Sequence, residues 1–280
     1  MMTVNIGPFA LSIQLFIFLL SVTAGLLLAA FVARKQTQSA ADPLWTILFI
    51  SLIAGRIVFF IRFYAEFDSV FALIDIRDQG MDWLAFGITF MAGVIWQLFR
   101  SAVRIAMLSG VLMMAASYAA LSVWVVLKQP EKPFPELTLL SLDGEPVPLQ
   151  QRLGDQLTVV NLWATWCPPC QREMPVLQQA EQRYPQLRFI LVNQQEDRQT
   201  VSEYLDAHSL QFDHLFLDAS GELADYFAAY GLPVTLYFNA QGERLGHHVG
   251  ELSAASLRAS IERFQAETDS LLPASESSAK

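Results

Sequence analysis

A chain of 280 residues is long enough for two domains of ordinary size, and 53% of its residues are hydrophobic while only 16% are charged. This composition is too apolar for a wholly soluble protein, so part of the chain is expected to lie in lipid. The net charge of −9 and the lack of a basic stripe exclude nucleic acid as a partner, because phosphate binding requires clustered Lys and Arg.

Four apolar segments in residues 1–127 are expected to form an α-helical transmembrane domain, because each is close to the ~20 residues that cross a bilayer. The predicted spans are residues 7–33, 44–63, 83–99 and 105–127. No basic residue precedes the first span and Arg34 and Lys35 follow it, so a cleaved signal peptide is not expected.

The charges between the spans predict their orientation. The connections at 34–35 and 100–104 are basic, whereas the connection between the second and third spans contains several acidic residues. Short basic connections stay in the cytoplasm, so the chain is expected to return to the outside after residue 127. We therefore expect a multi-pass protein of the bacterial inner membrane, with residues 128–280 on the periplasmic side.

The second half has the pattern of a soluble α/β domain. Residues 128–135 are rich in proline and charge, which is typical of a stiff linker, and residues 269–280 are expected to be a disordered tail. Residues 136–268 are predicted to form the domain. Its expected strands are 157–163, 187–193, 214–217, 234–239 and 244–249, and its expected helices are 168–184, 200–208 and 253–265, the last capped by Ser253.

The two cysteines of the chain lie in the segment Cys167-Pro168-Pro169-Cys170. Between a strand and a helix, Cys167 would lie at the helix N-terminus, where backbone N–H groups stabilise a thiolate. Cys167 is therefore the predicted nucleophile and Cys170, one turn later, the resolving cysteine. The alternative is half of a zinc site, but none of the four histidines has suitable spacing, so no metal and no cofactor beyond this disulfide are expected.

The run from Val159 to Cys170, followed by Glu173-Met174-Pro175, resembles the TlpA-like branch of the thioredoxin superfamily, which includes ResA and DsbE. Residues 134–137 and 142–147 resemble the extra N-terminal hairpin of that branch, and residues 230–235 resemble its cis-proline loop. The resemblance covers about half of the chain. It implies a thioredoxin fold and a protein-disulfide reductase for exported proteins, with apocytochrome c as the substrate class that the family suggests.

The resemblance also implies roles for individual residues. Pro233 is expected to be cis and to lie against the dithiol, where the backbone of Leu232 would pair with an extended substrate. Asn161 stands where thioredoxin has a buried aspartate, and the branch instead has an acid at the position of Glu173. Glu173 is expected either to take the proton of Cys170 or only to complement the helix dipole from the first turn.

Three further expectations concern aromatic and histidine side chains. Trp166 is expected to shield the reactive sulfur and to form part of the substrate site. Trp163 is either a neighbour of the site or an ordinary core residue. His247 and His248 are expected to be an exposed pair on a hairpin.

In the membrane half, Gly55-Arg56-Ile57 and residues 75–83 resemble part of prolipoprotein diacylglyceryl transferase, although Leu84 replaces the histidine of that family. Arg56 is expected either to be a functional intramembrane charge or to extend towards the interface. Neither cysteine lies in this half, so a membrane electron donor of the DsbD or CcdA type is an expected partner, besides the lipid bilayer.

Two alternatives to a reductase stay open. One is a dithiol oxidase or isomerase, because two prolines between the cysteines do not fix the direction of electron flow. The other is a lipid-handling membrane protein in which the thioredoxin-like domain is a docking module.

Overall fold

The computed structural model describes residues 3–6, 9–36, 39–67, 69–75, 77–100, 103–128 and 132–271. The chain divides into two compact units, Ser12–Pro130 and a second that contains Glu131–Lys280. We call the first the helical unit and the second the α/β unit. A two-stranded sheet of β1 (Thr3–Ile6) and β2 (Phe9–Ser12) precedes the first helix.

Among its described residues, the helical unit contains four helices that are long and apolar enough to cross a membrane. They are α1 (Ile13–Ala33), α2 (Ala41–Arg62), α3 (Trp83–Arg100) and α4 (Arg104–Lys128). The predicted span 7–33 begins too early, because residues 9–12 form β2 and the Ser12 hydroxyl caps α1 by accepting from the N–H of Leu15 at 3.3 Å. The bounds of the other three helices lie close to the predicted spans.

Two glycines allow α1 and α4 to pack closely. A Cβ atom on Gly25 would lie 2.6 Å from the carbonyl oxygen of Gly110, and one on Gly110 would lie 2.9 Å from that of Gly25. Either side chain would push the two backbones apart, so only glycine permits this contact.

The α/β unit is built on a seven-stranded sheet. In chain order its strands are β3 (Thr138–Ser141), β4 (Pro146–Pro148), β5 (Thr158–Trp163), β6 (Arg188–Gln194), β7 (Leu215–Asp218), β8 (Val234–Phe238) and β9 (Arg244–Val249), and their order in the sheet is β4-β3-β7-β6-β5-β8-β9. The central β5 is parallel to β6 and antiparallel to β8. Strands β3 and β4 pair antiparallel as an N-terminal hairpin, which the resemblance implies. They lie at Thr138–Ser141 and Pro146–Pro148, however, and not at residues 134–137 and 142–147.

Four helices cover the sheet: α5 (Pro168–Arg183), α6 (Arg198–His208), α7 (Glu222–Phe227) and α8 (Ala254–Leu271). Alternation along β5 sends Val159 and Trp163 to the face that packs against α5, α6 and α8, while Val160 and Leu162 face α7. Since Asn161 has the parity of Val159, its side chain points towards α5. This arrangement is the thioredoxin-like α/β fold, as expected.

The bounds of the domain differ from the prediction at both ends. Phe134, assigned to the linker 128–135, is buried: its N–H donates to the carbonyl oxygen of Gly242 at 2.7 Å and its ring lies 5.0 Å from that of Phe238. At the other end, α8 continues to Leu271, into the predicted tail 269–280, because no helix-breaking residue occurs before Pro273. Residues 272–280 of that tail lie outside the described residues.

Candidate active site

The two cysteines form a disulfide at the N-terminus of α5. Cys167 is the N-cap residue, and the N–H of Cys170 points to its sulfur at 3.3 Å. Pro168 follows in the first helical position, where a backbone N–H has no helical partner. Both cysteines are buried. On reduction, the free N–H groups and the helix dipole would stabilise a thiolate at Cys167.

Glu173 is a completely buried carboxyl group on the same helix, one turn after Cys170. Its Oε1 accepts a hydrogen bond from Nδ2 of Asn161 at 2.8 Å, and its Oε2 accepts one from the N–H of Leu252 at 2.9 Å. Burial raises the pKa of Glu173 to about 8, although both hydrogen bonds favour the charged form. A group with this pKa can both take and return a proton near neutral pH.

The alternative that Glu173 merely complements the helix dipole from the first turn is wrong. The first turn of α5 contains no acidic residue, and Glu173 lies beyond it with its carboxyl group in the interior. The polar cluster around Glu173 also includes β8, because Nδ2 of Asn161 donates to Oγ1 of Thr235 at 3.0 Å.

A second carboxylate, Glu196, holds the loop between β5 and the first cysteine. Its Oε2 accepts from the N–H of Thr165 at 2.7 Å and from Nδ2 of Asn193 at 2.6 Å, and the Thr165 hydroxyl donates to its other oxygen. Nε2 of Gln171 donates to the carbonyl oxygen of Thr165 at 2.6 Å. Glu196 was not among the residues predicted from the sequence. The available signal was an acidic residue after β6, since the loops that follow parallel neighbours lie at the same edge of a sheet.

The peptide bond between Leu232 and Pro233 is cis, as expected, and the placement of Pro233 against the dithiol stays a prediction. The carbonyl oxygen of Pro233 accepts from the N–H of Gly250 at 2.9 Å. Sheet pairing begins at Val234, so Leu232 lies just before the ladder of β8. Pairing of its backbone with a substrate stays a prediction.

Two aromatic side chains near these loops are exposed. Trp166, directly before Cys167, is 66% exposed, and Tyr230, in the cis-proline loop, is 56% exposed. The shielding role of Trp166 stays a prediction. Trp163 is fully buried and packs 5.6 Å from the ring of Tyr204, so it is a core residue.

The expectation of an exposed histidine pair is wrong. His247 and His248 are half-buried on β9, and burial lowers the pKa of His247 to about 4. Nε2 of His248 lies 3.2 Å from the carbonyl oxygen of Glu251. The hairpin is covered because α8 packs against the sheet, where the ring of Phe264 would meet a Cβ on Gly246 at 2.4 Å.

In the helical unit, Arg56 on α2 is buried and does not extend to the surface. Its guanidinium donates to Oδ1 of Asp78 at 3.0 Å, to the carbonyl oxygen of Gly80 at 2.7 Å and to that of Leu73 at 3.1 Å, as well as to the carbonyl oxygen of Asp75. These bonds anchor the segment that joins α2 to α3. This burial leaves both expectations for Arg56, a functional intramembrane charge and extension towards the interface, as predictions.

The α/β unit is similar to a known protein family and to several thiol-disulfide oxidoreductases. The Redoxin family matches residues 129–248. Sporulation thiol-disulfide oxidoreductase A of Bacillus subtilis is 29% identical over 136 residues, which are 47% of this chain and 80% of that protein. Thiol:disulfide interchange protein DsbE of Escherichia coli is 32% identical over 127 residues, 44% of this chain and 66% of that protein.

A third relative decides the family. Thiol-disulfide oxidoreductase ResA of Halalkalibacterium halodurans is 30% identical over 131 residues, which are 46% of this chain and 73% of that protein. The helical unit lies almost entirely before the Redoxin match. With its disulfide at a helix N-terminus, the chain belongs to the ResA-like family of thiol-disulfide oxidoreductases.

Proposed function

We propose that this protein is a membrane-anchored reductase that acts on disulfides of exported proteins outside the cytoplasm. The observation that carries the proposal is the buried Glu173 carboxyl one turn after Cys170, because a resolving thiol needs a nearby group to accept its proton. Apocytochrome c is one substrate class that this chemistry fits, since two thiols must be free before haem is attached.

The reaction proceeds in two exchanges. The Cys167 thiolate attacks one sulfur of the substrate disulfide, that S–S bond breaks, and the other substrate sulfur leaves as a thiolate. The Cys170 thiol then gives its proton to the Glu173 carboxylate and attacks the sulfur of Cys167. The mixed disulfide breaks, the second substrate sulfur leaves, and two electrons have passed to the substrate. The product is the Cys167–Cys170 disulfide of the structure.

Three residues have supporting roles in this proposal. Leu232, just before the β8 ladder, pairs its backbone with the extended substrate, and Pro233 places that segment against the dithiol. The exposed indole of Trp166 contacts the substrate beside Cys167.

Because the pKa of Glu173 is about 8 in the oxidised protein, the carboxyl group keeps its proton at neutral pH. That proton is available to Cys170 when the pair is reduced again.

The four apolar helices support anchoring in the inner membrane with the α/β unit on the periplasmic side. The basic connections at Arg34-Lys35 and at residues 100–104 favour this orientation. Since neither cysteine lies in the helical unit, reduction of the oxidised pair requires a membrane electron donor, for which the DsbD or CcdA type is chemically suited.

The direction of electron flow is tested by the redox state of the pair in growing cells. Acid quenching followed by alkylation with a large maleimide should find most of the protein as the dithiol, because a reductase is kept reduced by its donor. If the pair is instead mostly disulfide and its reduction potential is about −120 mV, as in DsbA, the protein is an oxidase.

The lipid-handling alternative is less well supported. The bonds of Arg56 to Asp78 and to the carbonyl oxygens of Gly80 and Leu73 fit a structural anchor, and the histidine of the transferase family is replaced by Leu84. That alternative predicts that Cys167→Ser leaves the cellular phenotype intact.

A further inference from the structure

An ion pair joins α5 to the loop between β9 and α8. Nε and Nη2 of Arg172 donate to Oε2 of Glu251 at 2.9 Å and 2.6 Å. Arg172 directly precedes Glu173, and Glu251 directly precedes Leu252, whose N–H donates to the Glu173 carboxyl at 2.9 Å. Two neighbouring contacts therefore connect the same stretch of helix to the same loop.

The loop has two further attachments. The N–H of Gly250 donates to the carbonyl oxygen of Pro233 at 2.9 Å, and the carbonyl oxygen of Glu251 lies 3.2 Å from Nε2 of His248. The position of the Leu252 N–H is thus fixed by the cis-proline loop, by β9 and by Arg172.

We propose that the Arg172–Glu251 ion pair is a positioning element that keeps the Leu252 N–H on Glu173 and neutralises the Glu251 charge beside it, and so sets the pH range in which Cys170 resolves a mixed disulfide. This inference rests on the proposed role of Glu173 as the proton acceptor of Cys170. Neither Arg172 nor Glu251 touches the reacting sulfur atoms in this scheme.

The groups that face Glu173 determine the direction in which its pKa would change if Glu251 lost its partner. Asn161 from β5 and the Leu252 N–H stabilise the carboxylate, whereas the negative charge of Glu251 raises the pKa of Glu173. The Tyr237 phenol on β8 is neutral at physiological pH, because burial raises its pKa. An unpaired Glu251 would therefore favour the protonated form of Glu173 and delay its deprotonation to higher pH.

The experiment uses the full chain in lipid nanodiscs. Reduced protein is mixed with an aromatic disulfide, dithionitrobenzoate, at a series of pH values. Release of the first thionitrobenzoate reports attack by Cys167, and release of the second reports resolution by Cys170. Arg172→Gln should move the pH midpoint of the second phase upwards by about half a unit, the size expected of a partly exposed ion pair. Arg172→Lys should restore the midpoint.

Two further variants test whether the unpaired Glu251 charge causes the shift. In Arg172→Gln combined with Glu251→Gln the unpaired charge is gone, so the midpoint should return towards that of the wild type. Arg258→Gln, which removes the partner of Glu262 in a comparable ion pair on α8, is the matched control. An Arg172→Gln midpoint equal to that of Arg258→Gln would overturn the inference.

Glu173→Gln separates this inference from the proposed function. If Glu173→Gln removes the pH dependence while Arg172→Gln leaves it unchanged, only the positioning role fails. If Glu173→Gln keeps the wild-type profile, the proton-acceptor role fails and the positioning role fails with it.

Discussion

Nδ2 of Asn161 donates to Oε1 of Glu173 at 2.8 Å, so a strand position and a helix position meet in one buried hydrogen bond. Thioredoxin has its buried acid at the strand position. Here the acid lies on α5, and the strand supplies an amide that stabilises it. The two arrangements therefore place a titratable carboxyl group in a similar part of the fold from different elements.

Glu173→Gln should slow the resolving step about 100-fold at neutral pH, since general acid–base groups commonly contribute factors of this size. Attack by Cys167 should change little. The wild-type resolving rate should rise with pH through about 8, where the Glu173 carboxyl group loses its proton, and the variant should lack this rise. The two phases of dithionitrobenzoate reduction measure both steps.

Glu181→Gln is the matched control for that variant. Glu181 also lies on α5, and burial raises its pKa to about 7, but its Oε1 accepts from the N–H of Asp213 in another part of the unit. A resolving rate that falls equally in both variants would show that the loss is not specific to Glu173.

Glu196→Gln should loosen the loop before Cys167. The amide that replaces the carboxylate has one acceptor oxygen, whereas both oxygens of Glu196 accept: Oε2 from the N–H of Thr165 and from Asn193, and Oε1 from the Thr165 hydroxyl. We expect attack by Cys167 to slow about tenfold and the amides of residues 164–166 to exchange hydrogen faster. Hydrogen exchange and the first kinetic phase test this. Unchanged rates, matching those of the exposed control Glu203→Gln, would show that Glu196 does not hold this loop.

Arg56→Gln should release the segment between α2 and α3. Removing one partner of a buried ion pair costs about 3 kcal/mol, so hydrogen exchange in residues 70–80 should accelerate about 100-fold in nanodiscs. Arg56→Lys should not restore protection, because an ammonium lacks the planar fork that reaches several acceptors. Arg62→Gln is the control, since the Arg62 side chain is 61% exposed. If Arg56→Gln and Arg62→Gln accelerate hydrogen exchange equally, Arg56 does not anchor this segment.

Local patterns were sufficient to predict most elements. The length of the apolar segments predicted the four helices, and the β-branched run before Cys167 predicted β5. Both patterns can be recognised because they depend only on neighbouring residues. Helix α7 was not predicted, since six residues between the left-handed Gly221 and Ala228 are too few for a helical period.

Contacts between distant segments could not be predicted from local patterns. Glu196 and Glu251 lie in loops without a recognisable motif, and their roles depend on which strand edges meet. The burial of His247 and the internal anchoring of Arg56 likewise depend on elements far away in the sequence. The dithiol could be predicted because two cysteines separated by two residues are specific to this chemistry, whereas the cis bond before Pro233 was expected only from the family resemblance.

Trapping of mixed disulfides in cells tests the central claim most directly. Full-length Cys170→Ala lacks the resolving thiol, so it should accumulate disulfide-linked adducts through Cys167 with exported proteins that contain cysteines. Cys167→Ala, which lacks the nucleophile, should accumulate none. The absence of adducts from Cys170→Ala, or equal adducts from both variants, would contradict thiol-disulfide exchange initiated by Cys167.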